Sequence, residues 1–230
     1  MPNNIIITGA NGNLGTAVVK KFLDSGFKVI AVDHSGNHLG FAEGHDNFEL
    51  HAVNLGNESE TDSFMKEAIS LNGQIHAAAL LVGGFAMGAV KDTNMDSLKK
   101  MYSLNFETVY NAARPLFLHM LDNNYGRIIF VGARPALKPE QGKNMIAYAL
   151  SKSLLFKLAE FMNAEAKGKN VFVSVIVPST IDTPINRQSM PDANPDNWVK
   201  AEEVAKILDF ICSEKAAVIR EPVYKLYNNS

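Results

Sequence analysis

The sequence predicts an α/β fold: one domain built on a doubly wound parallel β-sheet with helices on both faces. Three observations predict it. Short apolar, often β-branched runs recur along the chain, and most are followed by a stretch with helical periodicity. The runs are continuously apolar rather than alternating, as in strands covered on both faces. No linker, repeat or shift in composition divides the 230 residues, so a single domain over 1–230 is expected.

The elements follow in order. Ile5, Ile6, Ile7 and Thr8 make a first strand that ends in Gly9-Ala10-Asn11-Gly12-Asn13-Leu14-Gly15. Leu14, Val18, Val19, Phe22 and Leu23 then share a helical face, and Gly26 suits a C-terminal cap. Residues 29–33 are a second strand with Asp33 at its tip, 48–53 a third, 58–71 a helix and 75–82 a fourth strand. Residues 94–121 have helical periodicity, in which Pro115 must kink or break the helix. A fifth strand over 127–131, a long helix over 145–166, a sixth strand over 171–177, a helix over 201–211 and a last strand over 223–227 complete the pattern.

Composition narrows the function. Lys and Arg number 22 against 24 Asp and Glu, a formal net charge of −2 that offers no excess for neutralising nucleic-acid phosphates. The apolar stretch 77–90 is broken by Gly83, Gly84 and Gly88 and is shorter than the ~20 residues that cross a bilayer. Neither a nucleic-acid nor a membrane partner is expected. The chain starts without a basic segment leading into an apolar core, and its one cysteine, Cys212, cannot form an internal disulfide. A cytoplasmic protein is the expectation.

The glycine cluster follows the first strand and opens a helix, where unpaired N–H groups can face a pyrophosphate. Spacing alone also allows a bare strand-to-helix turn. Asp33, 18 positions after Gly15, can accept hydrogen bonds from an adenosine ribose and repel a 2′-phosphate, although Asp also simply opens turns. His34, Ser35, Gly36 and Asn37 bring no Arg or Lys for that phosphate, so NAD(H) is expected over NADP(H). His34 and His38 are four apart, but the residues between them are turn formers and no acid completes a ligand set; no metal site is expected. His76 reads as structural.

Tyr148 and Lys152, four residues apart on a predicted helix, fall on one face. An ammonium beside a phenol favours phenolate, so Lys152 is expected to lower the pKa of Tyr148. The same pair also fits an exposed polar face.

Thr8-Gly9 with its glycine turn, Asp33, Asn105, Tyr148, Lys152 and the run from Pro178 to Pro184, in that order and at those distances, resemble the short-chain dehydrogenase/reductase family over nearly the whole chain. The resemblance implies a Rossmann-type fold, a dinucleotide cofactor and a small-molecule substrate. It implies Tyr148 as general acid, Lys152 on the nicotinamide ribose, Asn105 holding a water in the proton relay and Thr183 on the carboxamide. Gly9, Asn11, Gly12, Asn13, Leu14, Gly15, Asp33, Val82, Gly83, Tyr148, Lys152, Pro178 and Thr183 are the expected cofactor contacts. Homodimers or homotetramers through the 94–121 and 145–166 helices are implied as well.

Two departures from the family pattern bear on substrate. The middle glycine is Gly12, with Asn13 where the family commonly has glycine. Ala133 stands where the family has a catalytic serine, in a stretch after the fifth strand that carries no hydroxyl. Loss of a carbonyl-polarising donor costs roughly 10²–10³ in rate, which favours an already electrophilic substrate. Both departures recur in the dihydropteridine reductase branch, whose substrate is a quinonoid dihydropterin. The stretch from Pro178 to Trp198 and the Gly83-Gly84-Phe85-Ala86 loop also resemble that branch, whereas Asn105 follows the wider family. Phe85, Ala133, Met190 and Trp198 are the expected substrate-lining residues. Residues 185–199, rich in Pro and Asn and too irregular for a helix, read as a substrate lid, with a static surface loop as the alternative. Reduction of another carbonyl or imine is the alternative activity, and NAD(H) sensing without turnover the alternative class.

Overall fold

The computed structural model describes residues 3–34, 39–219 and 223–229. His38 of the histidine pair read at 34 and 38, and most of the turn after Asp33, lie outside them.

Seven strands form one parallel sheet: β1 (Asn4–Thr8), β2 (Lys28–Asp33), β3 (Phe48–Ala52), β4 (Ile75–Leu80), β5 (Tyr125–Val131), β6 (Asn170–Pro178) and β9 (Val223–Leu226), in the order β3-β2-β1-β4-β5-β6-β9. Winding reverses between β1 and β4, which opens a crevice at their carboxyl ends. The continuous apolar runs have the reason expected of them, since Ile5, Ile6 and Ile7 on β1 and Val29, Ile30, Ala31 and Val32 on β2 are all fully buried.

One face is covered by α2 (Glu58–Asn72), α4 (Thr108–Asp122) and α7 (Ile146–Glu165), with Met65, Leu116 and Leu155 in the core. The other is covered by α1 (Asn13–Asp24) and α9 (Ala201–Cys212), with Val18, Phe22 and Leu208 beneath them.

Residues 94–121 are not one helix broken at Pro115. The helix α3 (Met95–Tyr102) passes into a π-helical turn over Ser103–Glu107 and then into α4, which continues unbroken past Pro115. Buried Ala112, Ala113, Leu116 and Phe117 hold α4 to the sheet around the proline, so one missing backbone bond does not end it. The irregularity falls instead at Asn105, and π-turns of this kind gather at functional sites.

Three short helices were also not legible as such. Two, α5 (Arg134–Leu137) and α6 (Pro139–Gly142), fill the loop between β5 and α7. The third, α8 (Pro184–Ser189), corrects the reading of 185–199 as too irregular for a helix. Thr183 caps it by accepting the Asn186 N–H on Oγ1 at 3.1 Å, and Pro184 occupies the first turn, where its missing N–H costs nothing. A two-residue ladder between β7 (Ile181–Asp182) and β8 (Val199–Lys200) closes the segment at its base.

Candidate active site

The crevice is built from the turns that leave β1, β4, β5 and β6. At the β1 exit, Gly9 has φ +66°, and a Cβ on Gly15 would lie 2.1 Å from the Gly9 carbonyl oxygen. Only glycine at both positions lets α1 start this close to the strand. Gly12 stands at the N-cap without a side-chain hydrogen bond, and the first turn of α1 carries no acidic residue. The helix start is thus left open to an anion, with Asn13, Leu14 and Gly15 supplying its first amides.

Asp33 sits at the β2 tip as expected, and it has a second task that the sequence did not disclose. Its Oδ2 accepts the Asn11 N–H at 2.9 Å and its Oδ1 the His34 N–H at 2.7 Å. The carboxylate thereby fixes the middle of the glycine turn as well as presenting charge beside it.

The β1 and β4 exits are joined. Thr8 Oγ1 accepts the Leu81 N–H at 3.1 Å, and a Cβ on Gly9 would come within 3.1 Å of the Val82 nitrogen. Past Val82, Gly83 is where the catalytic candidates converge. A Cβ there would meet Asn105 Oδ1 at 2.7 Å and Lys152 Nζ at 2.9 Å.

Asn105 is fully buried. Its Oδ1 accepts the Gly84 N–H at 2.8 Å, and its Nδ2 donates to the Gly84 carbonyl at 3.1 Å and to Ser151 Oγ at 3.0 Å. Ser151 in turn donates to the Tyr148 carbonyl at 2.8 Å. The side-chain amide therefore ties the loop after β4 to the turn of α7 that carries Tyr148. Ser151 is a member of this network that motif reasoning did not single out. The signal available was the pairing of a buried Asn with a hydroxyl one helical turn beyond Tyr148.

Tyr148 and Lys152 share a face of α7, as the spacing predicts, but their electrostatics differ from expectation. Lys152, almost fully buried, donates from Nζ to the Val131 carbonyl at 2.8 Å. Burial drives its ammonium pKa down to about 8. Burial also pushes the Tyr148 phenol up to about 12. The expected lowering of Tyr148 by Lys152 does not hold in the protein alone, because withdrawal from water penalises phenolate. At neutral pH the phenol keeps its proton.

Phe85 packs edge-on against the Tyr148 ring, with centroids 5.0 Å apart and planes 70° apart, while remaining 59% exposed. It presents an open aromatic face next to the phenol. Ala133 follows β5 and is buried and extended; it contributes a methyl at the place considered for a hydroxyl. Pro178 ends β6, and Thr183 is the cap of α8. Met190 and Trp198 are placed by another set of contacts, those of the 181–200 segment: Met190 ends α8, and Trp198 is buried beside the β7–β8 ladder. Arg187 grips Asp182 through Nε at 2.6 Å and Nη2 at 2.8 Å. His76 is structural, accepting the Asn4 N–H on Nδ1 at 3.0 Å.

Among the described residues no helix is long and apolar enough to cross a membrane. The short chain dehydrogenase family model matches residues 3–194. The chain is 29% identical to a dihydropteridine reductase of Dictyostelium discoideum over 211 residues, 90% of this chain and 87% of that protein. It is 25% identical to the 3-oxoacyl-[acyl-carrier-protein] reductase FabG of Buchnera aphidicola, covering 93% of this chain and 91% of the relative. The fold superposes on a 3-ketoacyl-(acyl-carrier-protein) reductase from Brucella melitensis complexed with NADH, at TM-score 0.84 and 21% identity over 97% of this chain and 96% of that one. It also superposes on ElxO with NADP bound, at TM-score 0.90 and 18% identity over 98% and 97%. The chain belongs to the short-chain dehydrogenase family of NAD(P)(H)-binding oxidoreductases.

Proposed function

We propose that the protein is an NADH-dependent reductase of a quinonoid dihydropterin, with Tyr148 as proton donor. One observation carries the substrate reading: a half-exposed aromatic ring, Phe85, lies against the Tyr148 phenol beside a β5 exit whose Ala133 carries no hydroxyl. A flat heterocycle can stack on such a surface. A ring that regains conjugation on reduction also has less need of a donor to polarise it. The 29% identity with a dihydropteridine reductase supports the same choice.

The residues fit a dinucleotide. Gly9, Asn11, Gly12, Asn13, Leu14 and Gly15 would hold its pyrophosphate at the uncapped start of α1, and Asp33 its adenosine ribose. Asp33 is also the ground for NADH over NADPH, since its charge opposes a 2′-phosphate. Val82, Gly83, Pro178 and Thr183 would border the nicotinamide, and Lys152 its ribose. When bound, the reduced cofactor supplies a hydride equivalent.

The chain's own residues manage the proton. Tyr148 holds it on Oη, and burial keeps it there at neutral pH, so the phenol is ready to donate to the substrate as the two electrons arrive. Lys152 spends one of its three donors on Val131 and keeps two for a cofactor hydroxyl and the phenol. Asn105 acts as a positioning residue, because its side chain is committed to Gly84 and Ser151. Phe85, Ala133, Met190 and Trp198 would bound the substrate, with 185–199 as a lid.

The relatives that reduce 3-oxoacyl thioesters support a second reading, reduction of another carbonyl. Purified protein should oxidise NADH when quinonoid dihydropterin is added. Turnover of ketones or oxoacyl thioesters with none of the pterin would overturn the first reading and favour the second.

A second copy of the chain is the proposed partner. Met95 and Tyr102 on α3, Tyr110 on α4, and Leu150 and Phe161 on α7 expose apolar surface, and a hollow of about 340 Å³ opens between α3 and α7. Light scattering should give a dimer or tetramer, and Leu150→Glu should shift it toward monomer.

A further inference from the structure

The chain leaving β9 is fastened to two parts of the catalytic edge. Ser179, just past β6, donates its N–H to the Leu226 carbonyl and its Oγ–H to the Tyr227 carbonyl, each at 2.9 Å. Asn228 then takes φ +50°, a left-handed conformation that asparagine tolerates better than most residues. The turn delivers its side-chain amide to the far end of the 183–199 segment. Nδ2 donates to the Trp198 carbonyl at 2.9 Å and to the Asp196 carbonyl at 3.2 Å.

The two ends of that segment are held differently. The near end is self-sufficient, through the Thr183 cap, the Arg187–Asp182 fork and Asn186 Nδ2 on the Ile181 carbonyl at 2.8 Å. The far end has the two-residue β7–β8 ladder and, from outside the segment, the amide of Asn228. Most of 188–194, between the ends, is exposed. Trp198 is buried and Val199 packs in the core with Val204 and Leu208, but the short ladder and these two hydrogen bonds are the polar ties that fix the backbone turn at 196–198, so the loss of the Asn228 amide should be felt there.

We propose that Asn228 is the positioning residue that fixes the base of the 183–199 segment and thereby sets how closely it covers the substrate. The functional half of this statement rests on the reading of 185–199 as a lid; the mechanical half does not.

Trp198 is the only tryptophan in the chain and is buried, so its emission reports on the base of the segment. The Trp198 and Val199 amides donate to the Pro195 and Thr180 carbonyls at 3.0 and 2.9 Å, which makes hydrogen exchange there a measure of opening. Asn228→Gly keeps the left-handed turn and removes the amide. Asn228→Asp keeps the size and turns acceptors toward two carbonyls.

In both variants Trp198 emission should shift to the red with stronger acrylamide quenching, and exchange of the Trp198 and Val199 amides should quicken about fivefold, as expected for roughly one net hydrogen bond. KM for the organic substrate should rise by about the same factor with kcat changed less. Far-UV circular dichroism checks the fold; if the glycine variant does not fold, the aspartate variant carries the same readouts. Unchanged emission, quenching and amide exchange would overturn the role of Asn228. Clear opening with an unchanged KM supports the anchor and removes the lid reading beneath it.

Discussion

Asn105 grips Gly84 at two points, accepting its N–H at 2.8 Å and donating to its carbonyl at 3.1 Å. The grip holds the strand exit that carries Phe85 in register with the helix that carries Tyr148. Asn105→Ala leaves both backbone groups of Gly84 without this partner and should destabilise the protein by about 2 kcal/mol. Because the loop then drifts from the phenol, kcat should fall by about 10²-fold, the scale of an ångström of misplacement. Urea unfolding and steady-state kinetics test the two effects separately. Wild-type kcat with reduced stability would confine Asn105 to a structural role.

Tyr148→Phe should retain NADH binding, measured by fluorescence titration, and lose about 10²–10⁴ in kcat, the usual contribution of a positioned general acid. The Phe85 edge contact is made with the ring and so survives the change. Unaltered turnover would remove the phenol from the mechanism.

Much of this arrangement was legible before the structure. Continuous apolar runs announced buried parallel strands, and Gly9, Gly15, Asp33, Tyr148 and Lys152 occupy the edge of the sheet that their spacing implied. What escaped reading depends on contacts distant in sequence. The fault between α3 and α4 lies at Asn105 because Gly84, 21 residues earlier, claims its side chain. Pro115, the obvious local breaker, is overruled by the packing of its neighbours. The phenol pKa escaped for a related reason: helical spacing brings Lys152 near but cannot measure burial. The helix α8 was different, since Thr183 followed by Pro184 is a local cap signal that the Pro and Asn content of the segment masked.

Asp33 serves two purposes, and two substitutions separate them. Asp33→Asn keeps an acceptor for the Asn11 N–H but removes the charge, so the kcat/KM ratio of NADPH to NADH should rise by about tenfold or more as like-charge opposition is relieved. Asp33→Ala should do the same while weakening both cofactors, because the glycine turn loses its 2.9 Å brace. An unaltered preference in both variants would contradict the role of this acid in cofactor choice.

Acid should loosen the amino end of the sheet. His76 Nδ1 accepts the Asn4 N–H at 3.0 Å and His119 Nε2 the Ile75 N–H at 3.1 Å, so both imidazoles must be neutral in the folded state. Burial lowers the pKa of each from the ordinary value of 6.5. Below that value the unfolded chain takes up protons that the folded chain resists, and stability therefore falls as pH drops. The His76→Asn, His119→Gln double variant retains an acceptor at each place without the titration. Its thermal midpoint should decline less than that of the wild type between pH 7 and pH 5, windows chosen about the unperturbed imidazole. Parallel declines would assign the acid limb to other groups.

Ala133 offers the most direct test of the substrate reading. It is extended, buried and the N-cap of α5, which has no side-chain cap. Ala133→Ser places a hydroxyl at the mouth of the β5 exit. If that exit faces the substrate, activity on simple ketones should appear or rise by about 10²-fold, the scale of one polarising donor. Reduction of quinonoid dihydropterin, which has less need of such a donor, should change little. A serine can also cap α5, worth about 1 kcal/mol, and thermal unfolding distinguishes that outcome. A stabilised variant with no gain on any ketone would mean that the hydroxyl turns toward the helix, and that the absence of serine here says nothing about substrate.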